Sequence, residues 1–359
     1  MCGWRPLAPI RNKSSDQVAT LEDVARLTGV STATVSRCLN APSKVTEATR
    51  ARVMDAVHEL GYLPNFSAQA LAAKRTNTFG AIIPTMENAI FARGLQAFQK
   101  ALEARGITLL VASSGYDPAL EEKQIKALAA RGADALLLIG HDRSRAVYDF
   151  LERRRIPYLV AWVHDAAAGH SSIGFDNFAA MRRLTDEVIA LGHRSLGLIS
   201  APGANNDRVR ARCDGVRAAM RAHGLKPSAL KIIETPYSIN NGAQAFQALI
   251  EQHPDITVVL CGNDVLAAGA ITLARARGIR VPEDISITGF DDLEIAEILP
   301  PGLTTIHVPH RQMGEGAATM LIELRDGAKP GKNIELEATI KWRNSLGPVP
   351  HSPADFLAN

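Results

Sequence analysis

Cysteine is scarce in this chain. There are four in 359 residues, Cys2, Cys38, Cys213 and Cys261, and no two of them form a CxxC pair. That scatter argues against a disulfide framework or a zinc knuckle and points to inert thiols in a reducing cytosol. No apolar run approaches the roughly 20 residues needed to span a bilayer. The stretch from Met1 to Ser15 carries prolines and charges but no apolar h-region, so it reads as a flexible leader and not a secretory signal. Catalytic signatures are missing too: there is no G-x-S-x-G elbow, no P-loop, no H-E-x-x-H, and no complete G-x-G-x-x-G after a strand. Neither a metal nor a cofactor is expected. A large net charge is also absent, the total being only +3. Its distribution is more informative. Up to Arg75 ten basic residues face six acidic ones, while the remainder holds 30 basic and 31 acidic. A mildly basic small unit on a neutral body suits contact with phosphates through one face.

What is present begins at Thr20. The run TLEDVARLTGVSTATVSRCLN reads as two short helices joined by a tight turn. Thr20 and Asp23 make a capping-box start. Val24, Ala25 and Leu27 form an apolar side, and Gly29 supplies the turn. Ser31 caps the second helix, in which Val35 and Leu39 lie one turn apart and are expected to face inward. Thr32, Ala33, Ser36 and Arg37 are then left outward. A short polar helix with an outward arginine fits a DNA major groove, where the fork bonds guanine O6 and N7 and small side chains meet a thymine methyl. An ordinary helical hairpin with a solvated face has the same spacing and stays open at this level. Thr46 and Glu47 open a third helix, with Val53, Val57 and Leu60 at helical spacing and Gly61 at its end.

DVARLTGVSTATVSRCLN, the run VTEATRARVMDAVHELGYLPN and the segment SAQALA together resemble the headpiece and hinge of the lactose-repressor (LacI) family, without a gap from Leu21 to Ala73. The resemblance implies base reading by Thr32, Ala33 and Arg37, with Ser31, Thr34, Ser36, Asn40 and Asn65 on the DNA backbone. It further implies a hinge segment, Phe66 to Ala73, that orders on DNA and places Leu71 as a minor-groove wedge.

From Phe79 onward, continuous apolar runs such as FGAIIP, ITLLVAS, ADALLLIG and IPYLVAWV alternate with amphipathic helices, and the pattern restarts after IGFD. Such runs mean parallel sheets covered on both faces, and about ten strands are too many for one compact sheet. The fold class expected is therefore an all-α helix-turn-helix headpiece plus an α/β body of two doubly wound lobes. By resemblance the body is similar to the periplasmic-sugar-binding fold. The division expected is a leader at 1–17, a headpiece at 18–63, a hinge at 64–76, a body at 77–345 and a tail at 346–359. Lobe one takes about 77–175 and 304–332, and lobe two about 176–303 and 333–345. The tail holds Pro348, Pro350 and Pro353 and lacks an apolar heptad, so no tetramer-forming helix is expected there.

A ligand should bind between the lobes, outside the carboxyl ends of the strands. Arg208, Arg210 and Arg212 follow the strand RSLGLISA. Arg208 and Arg212 share a helix face near an N-terminus, a place that favours anions, although a solvated basic face has the same pattern. Asn263-Asp264 and Asp291 also follow strands, where turn-capping is the alternative. The resemblance implies effector contacts from Arg212, Asn263, Asp291 and Phe91, the last being equally acceptable as a core residue. Tyr237, Trp162 and Asp176 are weaker candidates. Ala161 departs from relatives that carry an aspartate just before the tryptophan. PTMENAIFARGLQ, SSGYDPALEEKQ and IGFDNFAAMRR resemble the gluconate-type regulators within the family, while Asp291-Asp292 departs from that pattern.

The reading at this level is a cytoplasmic homodimeric transcription regulator, a repressor in preference to an activator. It would bind pseudo-palindromic operator DNA and respond to a small effector, with a sugar acid favoured over a neutral sugar. A sugar-binding transport protein and a Rossmann-type dehydrogenase are the rivals. The first would need export, and the second lacks its glycine fingerprint and leaves the headpiece unexplained.

Overall fold

The computed structural model describes residues 18–63, 75–87, 89–164, 167 and 169–350. Asn65, Leu71 and the rest of the expected hinge helix lie outside them. The chain divides into two compact units at Thr76/Asn77.

Among its described residues the first unit holds three α-helices. α1 (Leu21–Thr28) starts with the expected capping box: Thr20 Oγ1 accepts from the Asp23 amide, and Asp23 Oδ2 accepts from the Thr20 amide at 3.0 Å. Gly29 ends it at φ 68°, the left-handed conformation that glycine adopts without a Cβ penalty. α2 (Thr32–Asn40) is capped by Ser31, whose Oγ accepts from the Thr34 amide at 3.2 Å. α3 (Glu47–Leu60) ends at Gly61. Val24, Ala25, Val35, Cys38, Val53, Ala56 and Tyr62 form the core. One detail differs from expectation. Cys38 joins Val35 inside, and Leu39 is half-buried, packed against the same core. Val35 and Cys38 stand at i and i+3, which share a face of an α-helix as i and i+4 do.

The second unit has two lobes. In lobe one a parallel sheet of six strands runs in the order β2-β1-β3-β4-β5-β11, from β1 (Thr78–Ile83), β2 (Thr108–Ser113), β3 (Ala135–Ile139), β4 (Tyr158–Ala161), β5 (Ser172–Gly174) and β11 (Asn333–Glu335). Its helices are α4 (Ala92–Glu103), α5 (Pro118–Ala130), α6 (Arg145–Arg154) and α12 (His310–Arg325). In lobe two, β6 (Leu196–Ser200), β7 (Lys231–Glu234), β8 (Val258–Cys261) and β9 (Ser286–Thr288) form a parallel sheet in the order β7-β6-β8-β9. Its helices are α7 (Asn177–Ala190), α8 (Asp207–Ala222), α9 (Ile239–Gln252), α10 (Asp264–Ala276) and the short α11 (Ile295–Ile298). β10 (Thr305–His307) and β12 (Thr339–Lys341) pair antiparallel.

Every residue of β1, β3, β6 and β8 is buried, as sheets covered on both faces require. The lobe boundaries need correction at the C-terminal side. Strand β11, expected in lobe two, pairs with β5 in the sheet of lobe one. Thr304, expected to begin the return to lobe one, still bridges Thr288 in lobe two. Backbone pairing decides both cases, and an apolar pattern alone does not say which sheet a strand joins. The expected tail also begins too early. Leu346 is buried, and the Val349 amide donates to Leu191 O, so the chain still lines lobe two there.

Helices α4 and α12 cross at Gly94 and Gly314. A Cβ on Gly314 would overlap the Gly94 carbonyl oxygen, and one on Gly94 would meet the Trp162 ring and the His310 carbonyl. This close approach packs the Trp162 ring and the His310 carbonyl against Gly94.

Candidate functional site

On the three-helix unit, α2 leaves Thr32, Ala33 and Arg37 exposed on one side, with Val35 and Cys38 buried on the other. Ser31 Oγ and Thr34 Oγ1 are 2.9 Å apart, and Ser36 Oγ accepts from Asn40 Nδ2 at 3.2 Å. The face is small, polar and carries one guanidinium, the shape and chemistry that a major groove admits.

On the body, the crevice is organised around Arg212. Its Nε donates to Asn177 Oδ1 at 2.9 Å, and its Nη1 donates to Gly262 O at 2.7 Å. Its guanidinium carbon lies 3.6 Å from the centre of the Phe290 ring, and Nη2 comes within 3.9 Å of Asp291. Asn177 in turn donates to Trp162 O at 3.1 Å. One side chain thereby fixes the ends of three strand–helix loops. Around it stand polar atoms without hydrogen-bond partners among the described residues: Trp162 Nε1, Asn263 Nδ2, both carboxylate oxygens of Asp291 and both ring nitrogens of His310. All are deeply buried, Asn263 being 0%, Asp291 1%, Trp162 2% and His310 3% exposed. Buried polar groups in a folded protein are normally satisfied, so several in one place mark a ligand site.

The electrostatics agree. Burial raises the Asp291 carboxyl to about 6 against the pull of Arg212 and Arg208. Burial also lowers the His310 imidazole to about 4 and keeps it neutral. Asp292, which would have added a second negative charge, is engaged elsewhere. It accepts from Arg343 Nη2 and bonds His307 Nδ1, both at 2.8 Å. Burial works against its ionisation, but these bonds outweigh it and hold the carboxyl below its ordinary range. Asp264 is structural: it accepts from the Leu293 amide and from Thr305 Oγ1.

Tyr237 and Tyr116, one from each lobe, bring their rings to 6.4 Å and feel the charges of Arg208, Arg212 and Asp291. Beside Tyr237 a groove of about 720 Å³ opens between the lobes, lined by Arg93, Val265 and Leu293 among others.

The comparisons with known proteins point the same way. Residues 76–339 match the family of periplasmic binding proteins and the sugar binding domain of the LacI family, and residues 20–65 match the bacterial regulatory proteins of the lacI family. The HTH-type transcriptional regulator GntR of Escherichia coli (strain K12) is 30% identical over 327 residues, 91% of this chain and 98% of that protein. The HTH-type transcriptional repressor PurR of Klebsiella pneumoniae (strain 342) is 32% identical over 336 residues, 93% of this chain and 98% of that protein. The lac repressor dimer bound to operator and the anti-inducer ONPF superposes with a TM-score of 0.80 at 27% identity, over 92% of this chain and all of that one.

The chain belongs to the LacI family. As a LacI-family protein it is a DNA-binding transcriptional regulator, which sets aside the dehydrogenase and transport readings. No helix among the described residues is long and apolar enough to cross a membrane.

Within this LacI-family body, Arg212 lies within 3.9 Å of Asp291 and bonds the carbonyl of Gly262, next to Asn263. Asn263 also caps α10 through Oδ1, so the capping role and a free Nδ2 coexist in one side chain. Phe91 is a core residue, packed edge-on against Trp162 at 5.3 Å. Asp176 is a helix cap that accepts from the Ala179 amide and lines a different groove, with Arg182 and Glu337. Its neighbour Asn177 points inward instead, and sequence reasoning missed it, along with Tyr116 and His310.

Proposed function

We propose that this protein is a cytoplasmic, dimeric repressor whose operator affinity is set by a small polyhydroxylated acid, gluconate being the favoured example. The observation that carries the reading is the set of unpartnered buried groups around Arg212. Asp291 needs hydroxyl donors. Asn263 and Trp162 need acceptors. Arg208 supplies a positive charge for a carboxylate. Relatives named GntR stand at 30% identity and one named PurR at 32%. On the headpiece, Thr32, Ala33 and Arg37 read base edges, while Ser31, Thr34, Ser36 and Asn40 serve the backbone. A neutral sugar is the second reading, favoured by the charge that Asp291 itself brings to the crevice.

Two measurements test this. Calorimetry with D-gluconate and D-glucose should show binding of the acid, weakened far more by Arg208→Ala than binding of glucose. Equal affinity for both, indifferent to Arg208→Ala, would sink the acid assignment. On DNA selected by the full-length protein, Arg37→Ala should cost about 1–3 kcal/mol and relax preference at one base pair of each half-site. Uniform weakening on all sequences would make Arg37 a phosphate contact.

A further inference from the structure

Arg208 is already occupied. Asp207 Oδ1 accepts from its Nη1 at 2.8 Å, and this pair opens α8 in lobe two. The other oxygen of the same carboxylate crosses to lobe one, where Asp207 Oδ2 accepts from the His141 amide at 2.6 Å. The pair sits so tightly on the turn after β3 that a Cβ on Gly140 would overlap Arg208 Nη1 and Asp207 Oδ1. Gly140 takes φ 71° there. Arg208 is 8% and Asp207 19% exposed at the side chain, so water screens the ion pair poorly. A separate inter-lobe pair, Arg210–Asp142 at 2.7 Å, lies in more solvent and leaves Arg208 untouched. One carboxylate therefore ties lobe to lobe while holding Arg208, which lines a small cleft together with Tyr116 of lobe one.

We propose that Asp207 is an internal competitor that sets the selectivity of the crevice. It fills, on Arg208, the position that the carboxylate of an acidic ligand takes. An acid must displace it and thereby free the His141 amide, whereas a neutral polyol binds without disturbing the tie. The ligand half of this rests on the acidic-effector reading above. The tie between Asp207 and His141 does not.

Asp207→Asn keeps the shape and an acceptor oxygen but removes the competing charge. In calorimetry on the full-length protein it should tighten D-gluconate about tenfold and leave D-gluconamide, the same chain with a neutral amide, within twofold. Asp142→Asn removes the neighbouring Arg210–Asp142 pair and should leave the ratio of the two ligands unchanged. Amide exchange at His141 should be slow in the ligand-free protein and with gluconamide, and fast with gluconate. The proposal is overturned if Asp207→Asn tightens both ligands equally or neither, if Asp142→Asn shifts the ratio as much, or if His141 stays protected with gluconate bound. Should neither wild type nor Asp207→Asn bind gluconate, the acidic-effector reading falls with the competitor role. The tie is still decided by the ligand-free protein: it stands if Asp207→Ala speeds exchange at His141, and it fails if the rate is unchanged.

Discussion

Asp291 shows how one buried side chain records the demands of a site. Burial lifts its carboxyl from 3.8 to about 6, and two nearby arginines reduce that rise without cancelling it. A carboxyl raised on folding stabilises the fold while protonated. Its contribution is complete below about pH 4 and is lost as the pH climbs through about 6. His310 acts in the opposite sense. Its imidazole falls from 6.5 to about 4, so its contribution is complete above about pH 6.5 and is lost as the pH drops through about 4. Asp291→Asn removes the first effect and leaves the second. The stability of the variant relative to wild type, without ligand, should therefore improve by about 2 kcal/mol between pH 4 and pH 8. Denaturant unfolding at the two pH values measures it, and a difference independent of pH would show that folding does not perturb the carboxyl. The same group is the one a ligand hydroxyl should satisfy, so the residue that weakens the ligand-free fold at neutral pH is the one that gains most from binding.

At the scale of elements, local rules and close packing divide the work. Thr20 makes both halves of a capping box at the start of α1, and Thr20→Ala should lower headpiece stability by about 1 kcal/mol, read from thermal unfolding of that unit's signals in the full chain. A change near zero would mean that the core of Val24, Val35 and Val53 holds the helix start unaided. Gly314 depends on packing instead. Its missing Cβ lets α12 touch the Gly94 carbonyl, a backbone atom that cannot swing aside. Gly314→Ala should cost about 1–3 kcal/mol and shift Trp162 and His310, reducing ligand affinity as well as stability. A loss of stability alone would separate the crossing from the crevice.

This contrast explains what could be read in advance. The capping box, the turn at Gly29 and the alternation of strand and helix rest on neighbours in sequence, and each was legible there. The inward turn of Asn177 and His310, and the sheet that β11 joins, rest on contacts between residues far apart in the chain. Arg212 and Asn177 are 35 positions apart, and β5 and β11 about 160. No local spacing encodes such pairs.

For the whole molecule, the two lobes meet on both sides of the crevice through polar contacts that can be made and broken. Asp207 and Arg210 reach His141 and Asp142 on one side, and Arg93 reaches Asp292 O and Glu294 on the other. A ligand can alter DNA affinity only if it binds the two lobe arrangements unequally, and the usual coupling of about 1–3 kcal/mol corresponds to a 5- to 150-fold change. Arg212 is the group through which such a ligand would be felt, because it holds the loops at Asn177, Gly262 and Phe290 together. The most direct test is the operator affinity of the full-length protein with and without D-gluconate, for wild type and Arg212→Ala. The account predicts at least a fivefold change in wild type, no response in Arg212→Ala, and equal operator affinity of the two proteins without ligand. A variant that responds as wild type does, or that loses operator binding before any ligand is added, would contradict it.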